Sequence, residues 1–479
     1  MSFTSEKFVI FLLIVLVVYG LAPKKWRWGV LLTASYIFYG LWNLEYIWVL
    51  ALITLSSYWI SRRMARTDDS QQKSQWLILS IALVLLVLGV FKYYDYLILA
   101  FENYSQIDLP FPLLQRIAPL GISFFSLQVI AYLVDVYRGK LPPADHLGHY
   151  AVFVSFFPQL VAGPITRAQK LLPQIKFLPP VLAEDLQKGF QRLLLGLLQK
   201  FVIADRLANF TTPIFDDFSS YSRLVLLVNL YVYAVQIYAD FAGYSNIAIG
   251  IAKLFGVDLA ENFRQPYLAL DVAKFWNRWH ISLSNWLRDY IFYPTMRFLR
   301  KKYKSTRAWW MLWVPPLVTM LVSGIWHGTG PQFILWGLLH GSMLALSAAT
   351  SQWRKDVTER LGKAGWIFQV VQWLLTFNFI VFSWAIFRIP GLHSSILYLR
   401  DIAGGTKAST MVHEQAVWGT VIILVVFSLF EILLTFNVFW QKLEKAPLVV
   451  RWGAYYLLIF IIMFLGNFEG SQPFIYEQF

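Results

Sequence analysis

Residues 309–339 read WWMLWVPPLVTMLVSGIWHGTGPQFILWGLL, and the whole run between Arg307 and Arg354 contains no Asp, Glu, Lys or Arg. A helix needs about 20 apolar residues to cross a bilayer, so a run this long predicts two successive spans, at 308–328 and 330–350. His327 falls at their junction. Desolvation disfavours a charged imidazole there, so a neutral ring able to accept a proton is expected. Ionisable residues in hydrocarbon are costly and are functional candidates by default, although a histidine that only hydrogen-bonds a neighbouring helix fits the same pattern. Gly324, Gly328, Gly330 and Pro331 surround it, which lets the helix break and the backbone approach another surface. His340, within WGLLHG, is expected to be structural.

Working outward, composition gives the same class. The 479 residues are 58% hydrophobic and 14% charged, against roughly 45–50% and 25% in soluble domains. Mean hydropathy is +0.54. An all-α, polytopic integral membrane protein is expected, with residues 1–479 as a single integral-membrane domain. The net charge of +14 would indicate nucleic acid in a soluble protein. Here the basic residues fall in short loops between apolar spans, where the positive-inside rule and anionic headgroups explain them, so no nucleic-acid partner is expected. The chain has no cysteine, which excludes disulfides, cysteine-bound metals and an acyl-cysteine intermediate.

Upstream, 271–290 reads DVAKFWNRWHISLSNWLRDY. At 100° per residue it is an amphipathic helix: Trp276, Trp279, Leu283, Trp286 and Tyr290 share a stripe, and Asn277, Ser284 and Arg288 lie opposite. His280 falls at the edge between the faces. Asp271 is placed to cap the helix. The helix either anchors at an interface, with its histidine incidental, or lines a polar cavity.

The remaining spans are expected at 7–23, 28–43, 45–61, 75–91, 113–136, 365–387, 415–437 and 447–466. The first is read as a retained helix rather than a cleaved signal. Basic loops at 24–27 and 62–74 fit the cytoplasmic side, as do the loop 264–307, densely basic at its end from Arg297 to Arg307, and the loop 352–363. Residues 151–167, AVFVSFFPQLVAGPITR, are apolar but broken by Pro158, Gly163 and Pro164, which predicts a re-entrant or kinked segment. Residues 183–206 are expected as an interfacial or tilted helix carrying Lys188, Arg192, Lys200, Asp205 and Arg206. Residues 223–256 are expected as one bent helix or two, hinged near Gly243. Asp240 lies mid-helix there and needs a partner, with Tyr244, Gln236 or an arginine as available types; a structural polar role is favoured over chemistry.

No Walker-type loop, trusted Ser-His-Asp spacing or metal-ligand histidine spacing is present, so no metal or bound cofactor is expected. One or two histidines in a tryptophan-lined apolar interior suit a general base acting on a hydroxyl beside an activated acyl group. A lipid or polysaccharide transporter or scaffold is the alternative of another class; matching halves, common in transporters, are not seen.

The stretches LVAGPITR (160–167), DFAGYSN (240–246), ENFRQPY (261–267), FWNRWHISLSNWLRDY (275–290), SGIWHG (323–328), WGLLHG (336–341) and PFIYEQF (473–479) resemble the membrane-bound O-acyltransferase superfamily. The likeness is to its bacterial cell-envelope branch, which serves alginate and peptidoglycan O-acetylation and teichoic-acid D-alanylation. The resemblance implies roughly eleven transmembrane helices with re-entrant and interfacial pieces, in the bacterial cytoplasmic (inner) membrane. It implies His327 as catalytic base and His280 as the second histidine, orienting the donor or assisting proton transfer. Asn277, Arg278, Ser284, Arg288 and Trp326 are the expected substrate-binding residues. The expected donor is a cytoplasmic thioester, acetyl-CoA or an acyl carrier; the expected partners are membrane lipid and an extracytoplasmic transferase. Acetyl transfer towards an envelope polysaccharide leads. D-alanyl transfer to teichoic acid is the alternative, because IFYPTMRFLRKKYK (291–304) lacks the double-glycine turn usual in alginate-type members. An acyltransferase acting on secreted proteins or peptides shares the same histidine.

Overall fold

The computed structural model describes residues 2–115, 118–178, 180–303, 309–405, 442, 443, 445–468 and 473–475. Among them every regular element is helical. The first series is α1 (Glu6–Leu21), α2 (Arg27–Gly40), α3 (Ile47–Ala65), α4 (Ser70–Lys92), α5 (Tyr94–Ser105), α6 (Ile122–Tyr137), α7 (Leu147–Ser155), α8 (Phe157–Leu160), α9 (Ala168–Lys176) and α10 (Ala183–Leu197). It continues with α11 (Asp205–Asp216), α12 (Arg223–Leu254), α13 (Val272–Trp276), α14 (Ile281–Leu287), α15 (Tyr293–Tyr303), α16 (Trp310–His327) and α17 (Pro331–Ala349). The last are α18 (Ser351–Arg360), α19 (Gly365–Arg388), α20 (Leu392–Arg400) and α21 (Leu448–Leu465).

Six helical stretches among the described residues are long and apolar enough to cross a membrane: Leu44–Ala65, Ser70–Lys92, Arg223–Leu254, Pro331–Ala349, Gly362–Arg388 and Leu448–Leu465. Their solvent-facing surfaces are apolar: Ile78, Leu79, Leu85 and Leu86 of α4 and Leu457, Phe460, Met463 and Phe464 of α21 are all exposed. Such surfaces are stable only in lipid. The expected span 415–437 and the residues Lys304 and Arg307 lie outside the described residues.

The chain forms two compact units. One takes the described residues up to Leu193 with Ser245–Ala260, and the other takes Leu194–Tyr244 and Glu261–Ile475. In the first, residues 151–166 are buried throughout, and their helix breaks between Ser155 and Phe157. The Phe157 N–H freed at the break donates to Ser35 Oγ at 3.1 Å. Non-helical backbone is tolerated at such depth because protein groups satisfy it. Hydroxyl pairs link the surrounding helices: Ser57 with Tyr150 at 2.7 Å and Ser61 with Tyr132 at 3.0 Å. Among its described residues, the span expected at 113–136 is helical only from Ile122.

In the second unit α16 and α17 form a tight hairpin. A Cβ at Gly324 would lie 2.2 Å from the Phe333 carbonyl oxygen, and one at Gly337 would lie 2.4 Å from that of Met320. Only hydrogen fits at either position, and this brings the two backbones together. Residues 223–254 form one helix, the first of the two forms expected, and Gly243 is a point of close contact: a Cβ there would lie 3.0 Å from the Gly196 carbonyl oxygen. One expectation is corrected. The basic stretch 297–303 is helical, the end of α15, rather than loop.

Candidate active site

The segment 271–290 is not one helix. It divides into α13 and α14, with residues 277–280 between them and a wide π-turn over Arg288–Phe292 after them. Asp271 caps α13 as expected, accepting from the Lys274 N–H at 2.8 Å, and also pairs with Arg354 at 3.3 Å. The break has a tertiary cause. Arg264 N–H donates to the Arg278 carbonyl at 3.0 Å, and Ile281 N–H donates to the Asn262 carbonyl at 2.9 Å. These bonds replace the ladder bonds that a continuous helix would make. His280, expected at the edge between two faces, is instead fully buried and adopts φ +43°, the left-handed region that non-glycine residues rarely enter. Residues held there concentrate at functional sites.

The tryptophan stripe packs inward: Trp276, Trp279, Leu283 and Trp286 are buried. Trp279 stacks on Phe275, with ring centroids 5.5 Å apart, and lies 5.0 Å from Trp384 of α19. The His280 ring meets Phe241 edge-on at 4.7 Å and lies 6.3 Å from Trp326.

His327 ends α16, and its ring is buried against three aromatic side chains: Trp326 at 4.8 Å, Trp336 of α17 at 5.3 Å and Phe387 of α19 at 5.3 Å. Gly328 leaves the helix with extended backbone, and Gly330 and Pro331 start α17. Trp326 therefore flanks both imidazoles. The Trp336 indole N–H is buried with no hydrogen-bond acceptor among the described residues. A buried donor of this kind costs about 1–3 kcal/mol unless something accepts from it, and sequence reading did not single it out.

The other expected site residues divide. Asn277 and Arg288 meet on an exposed side, Arg288 Nη2 donating to Asn277 Oδ1 at 2.6 Å. Arg278 is half-buried. Ser284 donates to the Trp279 carbonyl at 3.1 Å and so braces the break. His340 is held at both ring nitrogens: Trp276 Nε1–H donates to Nδ1 at 3.3 Å, and Nε2 lies 3.1 Å from Ser383 Oγ. The serine hydroxyl donates onward to the Ile380 carbonyl, so Nε2 carries the proton and the chain of bonds is complete.

Asp240 has a partner, but it is Lys200 rather than an arginine. Lys200 Nζ lies 2.8 Å from Asp240 and 2.9 Å from Asp205, with all three side chains nearly inaccessible. The lysine and Asp205 are five residues apart. At 100° per residue they would sit about 140° apart on an α-helix; the π-turn over Leu198–Ala204 brings them together. From the C-terminal motif, Ile475 N–H donates to Asp240 Oδ2 at 2.8 Å, and the Phe474 ring lies over the Lys200 ammonium at 4.3 Å. Residues 476–479 of that motif lie outside the described residues.

A multi-pass helical membrane protein with imidazoles buried at helix breaks among indoles is marked as carrying a functional site within the membrane domain. A family model described as MBOAT, membrane-bound O-acyltransferase family, matches residues 145–385. The chain is 35% identical over 402 residues to the probable alginate O-acetylase AlgI of Azotobacter vinelandii, covering 82% of this chain and 76% of that protein. It is 35% identical to the peptidoglycan O-acetyltransferase of Helicobacter pylori, covering 80% and 74%. It is 28% identical to the teichoic acid D-alanyltransferase of Bacillus subtilis, covering 57% and 69%. The chain belongs to the membrane-bound O-acyltransferase family and is an acyltransferase.

Proposed function

We propose that this enzyme moves an acetyl group from a cytoplasmic thioester, acetyl-CoA or an acyl carrier, towards an extracytoplasmic envelope polysaccharide in the bacterial cytoplasmic membrane. The observation that carries the reading is His327, an imidazole buried among Trp326, Trp336 and Phe387 in the last turn of α16. His327 takes the proton of an acceptor hydroxyl as that oxygen attacks the thioester carbonyl. The C–O bond forms, the C–S bond breaks, and the imidazolium returns its proton to the departing thiolate. The end of a helix favours positive charge, which stabilises the imidazolium as it forms. The Trp336 indole N–H donates to the carbonyl oxygen as negative charge grows there. His280 orients the donor or assists the proton transfer, Trp326 contacts the substrate, and Arg278 with the Asn277–Arg288 pair holds the polar part of the donor. The hydroxyl that accepts first belongs to the polysaccharide or to an extracytoplasmic partner transferase.

The relatives named for O-acetylation support acetyl as the group. The test is transfer by purified protein in nanodiscs, offered labelled acetyl-CoA and, separately, D-alanyl-loaded carrier protein. Thioester cleavage with acetyl-CoA that is lost in His327→Ala supports the proposal. Activity with the loaded carrier alone replaces it with D-alanyl transfer, and no envelope acyl change in a deletion strain overturns the acyl-transfer reading.

A further inference from the structure

The motif ENFRQPY contributes a residue whose task the hydrogen bonds define. Asn262 is fully buried. Its Oδ1 lies 3.1 Å from His280 Nδ1, 3.2 Å from the Ser282 backbone N and 2.9 Å from Ser282 Oγ. The two ends of an asparagine amide are distinguished by their partners. A backbone N–H only donates, so the end of the amide that faces Ser282 N is the oxygen. That oxygen only accepts, so the imidazole nitrogen sharing it must carry a proton. A neutral imidazole carries one N–H, which leaves the lone pair on Nε2. One main-chain N–H thus decides the amide, and the amide decides the tautomer. The same segment holds the backbone on both sides of His280, through the Ile281–Asn262 and Arg264–Arg278 bonds. His280 in turn keeps its left-handed φ of +43° at the start of α14. The ring is thereby fixed in position as well as in protonation.

We infer that Asn262 is a positioning residue for the acyl transfer, locking His280 as the Nδ1–H tautomer so that Nε2 is the nitrogen presented to the reacting groups. The consequence for catalysis rests on the acyl-transfer reading; the tautomer does not. Histidine ligands of metals and the histidine of a catalytic triad are oriented in the same way, by an acceptor on the nitrogen away from the chemistry.

The experiment is nitrogen-15 spectroscopy of histidine-labelled full-length protein in nanodiscs, with the His280 signal assigned by its loss in His280→Asn. The wild type is expected to show Nδ1 protonated and Nε2 unprotonated. Asn262→Leu removes the acceptor. It is expected to shift the ring to mixed tautomers and to lower kcat about 10–100-fold with the thioester KM nearly unchanged. Asn262→Asp keeps an acceptor oxygen and restores the Nδ1–H form. Ser282→Ala keeps the backbone N–H and leaves the wild-type tautomer in place. A wild-type spectrum with Nε2 protonated overturns the inference even if Asn262→Leu fails to fold, and so does an Asn262→Leu spectrum identical to wild type. If the wild type shows the Nδ1–H form but transfers acyl groups from no donor, the tautomer lock stands and the acyl-transfer reading fails.

Discussion

Two buried histidines of the same unit, His327 and His340, are thirteen residues apart and differ in what the backbone does around them. His340 lies inside the unbroken α17, and its two nitrogens are joined to Trp276 and Ser383 in a chain of bonds that ends on a carbonyl. His327 lies where α16 stops, among ring faces, beside an indole N–H with no acceptor among the described residues. His280 also lies at a helix break, between α13 and α14, with its Nδ1 3.1 Å from Asn262 Oδ1. Burial alone does not separate a structural histidine from one proposed for chemistry. A regular helix satisfies its own backbone, whereas at the α13–α14 break another segment supplies the backbone partners.

The largest effect expected is at His327. Replacement by Ala should lower acyl transfer about 10²–10⁴-fold, as for a lost general base, with the melting temperature of the detergent-solubilised protein little changed. A variant that melts early and keeps its activity per folded molecule would move His327 into the structural group. Lys200→Met should act in the opposite way. It leaves Asp205 and Asp240 facing each other without their cation, a loss of about 3–5 kcal/mol for a broken buried ion pair, read as a large fall in melting temperature. Activity should fall only with the folded fraction. An intermediate effect is expected from Trp336→Phe, which keeps the ring and removes the N–H: about 10²-fold in kcat if the indole supports the carbonyl oxygen, measured at saturating thioester. The smallest belongs to His340→Ala. It strands the Trp276 indole N–H and the Ser383 hydroxyl and should cost about 1–3 kcal/mol, seen in thermal melts, with kcat and KM near wild type. Loss of kcat without loss of stability there would break the distinction between the two histidines.

The sequence by itself determined the membrane class and the helical architecture, and it singled out the residues proposed for chemistry. Apolar runs, charge-free stretches and basic loops follow from the energy of placing charge in hydrocarbon, and that energy depends on residue type rather than on partners. The motifs around His280 and His327 were legible for the same reason: they are local. What only the tertiary structure decided were the relations between distant segments. The stretch 271–290 contains no Gly or Pro, so its periodicity reads as one helix. The break comes from hydrogen bonds offered by residues 262–264, and these outweigh the ladder bonds they replace. Lys200 found Asp205 because a π-turn changed the angular step, and it found Asp240 because α12 passes beside it. Periodicity describes one helix in isolation. Which groups meet across helices, and which nitrogen of a histidine keeps its proton, depend on contacts between segments far apart in the chain.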